Sequence, residues 1–452
     1  MKPGHEVPTA LESMARYVVS ERQSVLRPGV LHHARRAVID WYASLFAGCA
    51  MDPVVAMERA LEDEIDTGKS RLWSGRRATI RAAAFLNGLG SHAAEVDDVF
   101  REGIYHPGSP TVAAALALGQ ATNIDGQSFV RAVVAGYEIS TRISALILRH
   151  HYQWWHTTGT VGCIGAAAAS AAVLRLDERQ TVHAMATAVT FAAGLQQAFR
   201  SDSMTKPMHA GHAAEVGVTS ALGALHGLTG AADILEGDEG FGAAMAGSPD
   251  WNLALQGLSS DYNITRMTQK NHCCCGQTFA AIDAALALRE QHRFAPADIR
   301  GVGIHTYQTA LDVTGNYRSD TPAEARFSLP YVVAHALVHG SVRLAAFEAS
   351  ALADPVVKRI IGDTWMQASG EFNAVFPGKR CASVEIVLGD GRRISHVQTT
   401  RKGDPDCPLS DQELEGKFFE LATPVIGRTR AETLLKKLWL LDEQDSMSQL
   451  SA

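Results

Sequence analysis

The chain has 452 residues, 46% of them hydrophobic and 20% charged, so it carries enough apolar material for a real core and no mark of wholesale disorder. Its 41 basic residues against 48 acidic ones leave a formal net charge of −7, which argues against a nucleic-acid partner held by dense positive charge. No run of about 18 apolar residues marks a membrane span, and residues 1–6 lack the basic start of a secretory signal, so we expect a cytoplasmic protein with no membrane partner.

Residues 1–265 read as helical. Ala34, Val38, Trp41 and Leu45 recur at intervals of four, three and four, the spacing of one buried helix face. Residues 112–118, 162–173 and 211–225 are rich in Ala and Gly, which lets helices approach closely and predicts a tightly packed bundle with little sheet. The texture changes after about residue 265. Residues 300–307 alternate in part as a strand does. Residues 382–388, then Gly389-Asp390-Gly391, then 392–399 predict a β-hairpin with a glycine-rich turn. Between them, 329–352 reads as helix again, and 410–441 has helical spacing with the charge of a solvated face. The expected fold is therefore mainly α. A large helical domain covers 1–265, with 405–452 returning to it, and a smaller α+β domain covers 266–404. No repeat or low-complexity linker interrupts it.

Seven cysteines, three of them consecutive at Cys273, Cys274 and Cys275, make a poor disulfide framework and offer no C-x-x-C zinc pair. Small thiols near a pocket wall are the expected reading.

Three clusters join ionisable groups to glycine or proline, as a loop at a pocket does. The first runs from Glu95 through Asp97 and Asp98 to His106-Pro107-Gly108-Ser109-Pro110. It reads either as a solvated helix end or as a general acid–base histidine tuned by carboxylates, with Mg²⁺ or Mn²⁺ binding by Asp97, Asp98 and His106 as a lesser option. The second, Trp154-Trp155-His156-Thr157-Thr158-Gly159-Thr160, suits a helix start with Thr157 or Thr158 as N-cap. Its backbone N–H groups and His156 would favour a carboxylate. The Arg149-His150-His151 run before it reads as added positive character or wet surface. The third, Met204-Thr205-Lys206-Pro207-Met208-His209-Ala210-Gly211-His212, places a lysine and a histidine around a proline bend. Lys206 there suits a substrate carboxylate or, desolvated, a base.

The chain lacks a G-x-S-x-G elbow, a phosphate loop, an H-E-x-x-H helix and a strand followed by G-x-G-x-x-G. What remains suits proton transfer on an anionic small molecule, with no cofactor and no metal expected.

Taken in order, these segments resemble the MmgE/PrpD family, which includes 2-methylcitrate dehydratase, cis-aconitate decarboxylase and iminodisuccinate epimerase. The matching stretches are Glu95-Val-Asp-Asp, His106-Pro-Gly-Ser-Pro, His156-Thr-Thr-Gly-Thr-Val-Gly, Met204-Thr-Lys-Pro-Met-His-Ala-Gly, Ala325-Arg-Phe-Ser-Leu-Pro-Tyr331, Phe376-Pro-Gly-Lys-Arg and Lys402-Gly-Asp-Pro-Asp. The resemblance implies a helical domain from both chain ends, a smaller α+β lid domain and a homodimer. It implies a small di- or tricarboxylate substrate that loses a proton beside a carboxylate. By motif it implies Asp97, His106, His156 and Lys206 as catalytic residues, with His209 and Tyr331 at neighbouring matched positions; Thr157 and Gln277 join those two as expected substrate-binding residues, Gln277 lying off the matched position. The family segment written here Lys270-Asn-His-Cys-Cys-Cys-Gly-Gln-Thr-Phe279 usually ends in histidine, so Phe279 implies a substrate of different bulk or fewer carboxylates. The first expectation is a cofactor-independent hydro-lyase of the 2-methylcitrate dehydratase type. The alternatives are an epimerase or decarboxylase of the same family, or a non-catalytic carboxylate-binding member.

Overall fold

The structure is a computed structural model and describes residues 8–201 and 203–450. The reading of residues 1–6 falls outside them. The chain divides into two compact units. The first holds the described residues of 1–93, 97–268 and 410–452, and the second holds 94–96 and 269–409.

The first unit is built on helices α1 (Ala10–Glu21), α2 (Pro28–Gly48), α3 (Asp52–Ala60), α4 (Ile80–Ala93), α5 (Gly108–Thr122), α6 (Gly126–His151), α7 (Thr157–Val173), α8 (Glu178–Thr190) and α9 (Met208–Leu225). In α2 the predicted stripe of Ala34, Val38, Trp41 and Leu45 is buried throughout. Helix α7 has no such stripe because every one of its residues is buried, and it packs against α5, α6, α8 and α9. Small residues make that centre feasible. A Cβ on Gly217 of α9 would fall 2.4 Å from Ala166 of α7, and one on Gly165 would fall 2.7 Å from Ser140 of α6.

Residues 8–201 and 203–265 carry little sheet, as the sequence suggested, and what they carry is one short pair. Strand β1 (Ile65–Arg71) pairs antiparallel with β2 (Arg77–Ala78). Asp66 and Gly68 in β1 and Gly75 in the turn all take positive φ, a conformation that helical periodicity cannot reveal. After residue 410 the helices Asp411–Ile426 and Arg428–Trp439 pack against α2. The first starts with a reciprocal cap, Ser410 Oγ accepting from Glu413 N and Glu413 Oε2 accepting from Ser410 N. One turn further, Lys417 Nζ lies 2.6 Å from Asp40 Oδ1 of α2, with both side chains fully buried.

The second unit carries one sheet of four strands in the order β4-β3-β5-β6. The strands are β3 (Ile299–Thr306), β4 (Thr364–Ala368), β5 (Ala382–Leu388) and β6 (Arg393–Gln398). β3 runs parallel to β4 and antiparallel to β5. β5 and β6 form the predicted hairpin, turned at Gly391 with φ +86°. Helix Phe279–Gln291 packs on β5 and β6, and β5 alternates buried and half-buried residues accordingly. The 329–352 segment is broken, where the sequence suggested one helix. Helix Leu329–His339 stops because Gly340, at φ +75°, donates its N–H back to Ala336 and turns the chain. β4, unread in the sequence, is a short edge strand.

All seven cysteines are free. Among the described residues no helix is long and apolar enough to cross a membrane.

Candidate active site

In the first unit, the last turn of α4 carries His92, which is fully enclosed. The chain leaves α4, passes Glu95 in a left-handed conformation at φ +58°, and arrives at Asp97. Its carboxylate Oδ2 stands 2.7 Å from His92 Nδ1 and accepts from Ser109 Oγ of α5 at 2.9 Å. Beyond Asp97 the loop closes on itself, Phe100 and Tyr105 exchanging backbone hydrogen bonds, with Ile104 left-handed between them. That closure returns His106 to Asp97, with Nδ1 3.1 Å from the same Oδ2.

Asp98 faces other partners. Its Oδ2 accepts from Tyr137 and its Oδ1 from the Gly108 backbone, so the two adjacent carboxyl groups do not converge on one point as a paired cation site requires. Burial, then the charge of Asp40, pushes Asp98 up to about 8. Ligand-type atoms of His92, Asp97 and His106 do lie within 4.8 Å of one another. Of the Asp97 oxygens, Oδ2 is hydrogen-bonded to His92 and Ser109.

His156 forms the N-cap position of α7. Its backbone N–H donates to Gly194, and its ring stacks on His92 at 5.5 Å between centroids, while His92 meets His106 edge-on at 4.8 Å. His156 Nδ1 lies 3.0 Å from Nδ1 of His209 in the first turn of α9, so one ring donates and the other accepts. Burial lowers His156 well below the ordinary imidazole value, and His92 and the Lys206 cation lower it further. His209 falls to about 4, through burial first and the same neighbours next. Both rings are therefore neutral at pH 7. Lys206 sits in the turn that leads into α9, partly buried.

Neither threonine of the motif caps α7 as the sequence suggested, because His156 occupies that position with no side-chain cap. Thr158 Oγ1 instead accepts from the His106 backbone N–H at 3.3 Å, tying the helix start to the loop. Thr157 Oγ1 is buried without a hydrogen-bond partner among the described residues. That leaves a hydroxyl and a helix N-terminus beside His156, which together suit an anionic group.

The remaining expected positions lie in the second unit. Gln277 Oε1 accepts from the Tyr307 hydroxyl. The Tyr331 hydroxyl donates to the Ala346 carbonyl inside the unit's core. Phe279 is fully buried against His272, which in turn bonds Asp283 at 2.9 Å.

Three residues of chemical interest escaped the sequence reading. His92 lies five positions before Asp97, just ahead of the acidic cluster. His151, expected to add positive character or lie on a wet surface, is fully buried. Its Nε2 accepts from Thr160 Oγ1 at 2.6 Å and its Nδ1 donates to the Met245 carbonyl, which pins the first turn of α7. Burial lowers it to about 4. In the second unit Lys270 is buried, with Nζ 3.0 Å from the Glu95 carbonyl and 3.4 Å from its carboxylate.

Residues 12–254 match the family model of the MmgE/PrpD N-terminal domain, and residues 272–442 that of the MmgE/PrpD C-terminal domain. Among curated proteins the chain is 27% identical to the cis-aconitate decarboxylase-like protein oryM of Aspergillus oryzae, across 97% of this chain and 96% of that one. It is 26% identical to cis-aconitate decarboxylase of Mus musculus, over 97% and 92% of the two chains, and 24% identical to that of Homo sapiens, over 97% and 93%. The histidine, aspartate and lysine motifs that resembled one family thus lie within matches to both of its domains, and the chain belongs to the MmgE/PrpD family.

Proposed function

We propose that this chain is a lyase that acts on a small di- or tricarboxylate by acid–base chemistry at a carbon next to a carboxylate, without a cofactor. The observation that carries this is the gathering of buried His92, Asp97, His106 and His156 with half-buried His209 in one cluster beside Lys206. A proton beside a carboxylate is weakly acidic, because its removal puts more negative charge on an anion. Lys206 and the start of α7, with Thr157, oppose that charge, and neutral His156 offers a hydrogen bond. His106, oriented by Asp97, exchanges the proton.

Two outcomes share this chemistry. In dehydration, a base takes the proton next to the carboxylate and an acid protonates the departing hydroxyl. In decarboxylation, the C–C bond electrons move through an alkene as CO₂ leaves, and an imidazolium protonates the far alkene carbon. The relatives named for cis-aconitate decarboxylation favour the second. The dehydratase reading rests on the family resemblance alone.

Proton NMR of the purified protein in D₂O with 2-methylcitrate, citrate, cis-aconitate, citramalate, malate and an amino-dicarboxylate tests the proposal. Loss of cis-aconitate signals with a new vinylidene pair and CO₂ release marks decarboxylation. New vinyl signals from a hydroxy acid mark dehydration. Turnover is expected to survive exhaustive chelation. Unchanged spectra across the panel, or activity abolished by chelation and restored by a metal, would overturn it.

A further inference from the structure

Arg326 ends the short helix Pro322–Arg326 of the second unit, and no step proposed above uses it. The residue is only 8% exposed, and its Nε is buried with no hydrogen-bond partner among the described residues. Its other two guanidinium nitrogens likewise have no acceptor and no ion-pair partner among those residues. What the guanidinium does meet is the ring of Phe347, with its central carbon 4.8 Å from the ring centroid. The buried cations Arg36, Arg142, Lys270, Arg401 and Lys417 differ, because each faces a carboxylate. Burial lowers Arg326 from the ordinary guanidinium value, and Cys273, Glu95 and Cys274 oppose that shift. Glu95 thus acts on Arg326 through its charge, but its carboxylate pairs with Lys270 at 3.4 Å. Glu95, Lys270 and Arg326 together leave one net positive charge.

A guanidinium taken out of water without an acceptor loses its hydration and gains only the modest attraction of a ring face. Looseness of the frame does not explain it. The Arg326 carbonyl accepts from Cys275 N at 3.0 Å, which ties the end of the helix to the row of cysteines. Phe347 is buried with its ring 6.2 Å from that of Tyr331, whose hydroxyl donates to the adjacent Ala346 carbonyl. A cation is therefore held desolvated on a packed aromatic platform. That arrangement costs stability until a planar oxyanion accepts from its N–H groups, and the guanidinium fork matches a carboxylate.

We propose that the Arg326 guanidinium, seated on Phe347, is a binding site in the second unit for a carboxylate group of a small di- or tricarboxylate. The proposal rests on the function proposed above only for the class of ligand.

The experiment is calorimetric titration of the full-length protein with tricarballylate, a saturated tricarboxylate with no hydroxyl to lose and no alkene to carry a decarboxylation. Arg326→Met is expected to weaken its binding about tenfold or more. The urea midpoint of that variant without ligand is expected to stay the same or rise, because the substitution removes an uncompensated buried charge. An arginine with a purely structural role would give the reverse, a lower midpoint with binding unchanged. Arg326→Lys keeps the charge and loses the planar fork, so it supplies the same test where Arg326→Met does not fold, with an expected loss of about threefold or more. A crystal structure of the unsubstituted protein with tricarballylate needs no variant and is expected to place a carboxylate oxygen within about 3.2 Å of a guanidinium nitrogen of Arg326. No binding by the unsubstituted protein, binding unaltered in a folded variant, or carboxylates bound away from Arg326 overturns the proposal. Turnover then separates two sources of the ligand. A KM that rises in step with the tricarballylate Kd identifies the substrate, and an unchanged KM identifies a separate carboxylate effector. Binding through Arg326 with no turnover on any carboxylate of the D₂O panel would instead reject the proposed function and leave this site standing.

Discussion

Asp97 and Asp98 share a sequence neighbourhood but not an electrostatic one. Asp97 meets two imidazoles and a serine, whereas Asp98 meets Tyr137 and a backbone amide in a fully buried setting near the charge of Asp40. Asp98, pushed up to about 8, is protonated in the folded protein where the unfolded chain is ionised. Its raised value makes it stabilising, relative to the unfolded chain, below the ordinary carboxyl value of 3.8, and that stabilisation is lost as pH rises through about 8. Asp98→Asn keeps the shape and removes the titration. Urea unfolding from pH 4 to 9 is expected to show a flatter stability profile for the variant, with a gain on the order of 1–3 kcal/mol at pH 9 and little change at pH 4. Parallel profiles for the two proteins would contradict the assignment. The sequence showed an acidic pair at this place, but nothing in it distinguished the two carboxyl groups, because the partners that separate them come from α2, α4, α5 and α6.

Among the helices, α7 does the most to assemble the site. It brings His156, Thr157 and Thr158 to the loop that carries His106, and its first turn passes close to the Gly194 backbone. Gly159 makes that approach feasible. An added Cβ there would fall 2.3 Å from the Ala193 carbonyl and 3.1 Å from His209 Cβ. Gly159→Ala is expected to cost about 1–3 kcal/mol of stability and to slow turnover by shifting His156 against His209. Urea denaturation, paired with the D₂O assay, checks both parts, and a variant of unchanged stability would refute the close-contact argument. The periodic stripe of α2 and the 382–398 hairpin were legible because each is a local pattern with a fixed side-chain repeat. Helix α7 showed no stripe because it is buried all round, and only its Ala and Gly content pointed to close packing. The β1–β2 pair and the stop at Gly340 depend on single left-handed residues and were not legible.

On the scale of the first unit, residues far apart in the chain are joined beneath the site. Lys417 and Asp40, separated by 377 positions, form a fully buried ion pair between the helix Asp411–Ile426 and α2. Such a pair gains little over apolar packing, yet breaking it strands a charge. Lys417→Met alone is expected to destabilise by about 3–5 kcal/mol, and the double variant Asp40→Leu with Lys417→Met to recover most of that loss. A chemical-denaturation double-mutant cycle measures the coupling, and additive single effects would show that the pair does not act as a unit. Because Asp40 is the leading charge that raises Asp98, the stability of the C-terminal helices and the protonation of the site loop are linked through one carboxylate.

By itself the sequence determined the mainly helical class, the buried face of α2, the hairpin at 382–398 and the family, since each is written in residue spacing or in contiguous motifs. The tertiary structure decided which of these residues meet. It gathered His92, Asp97, His106, His156 and His209, turned Asp98 away toward Tyr137, and engaged Tyr331 inside the second unit. It also decided the protonation of the buried histidines and of Asp98. The physical reason is that periodicity follows from backbone geometry a few residues long. Tautomer and charge follow from neighbours in space, and here those neighbours are contributed by helices and loops far apart in the chain.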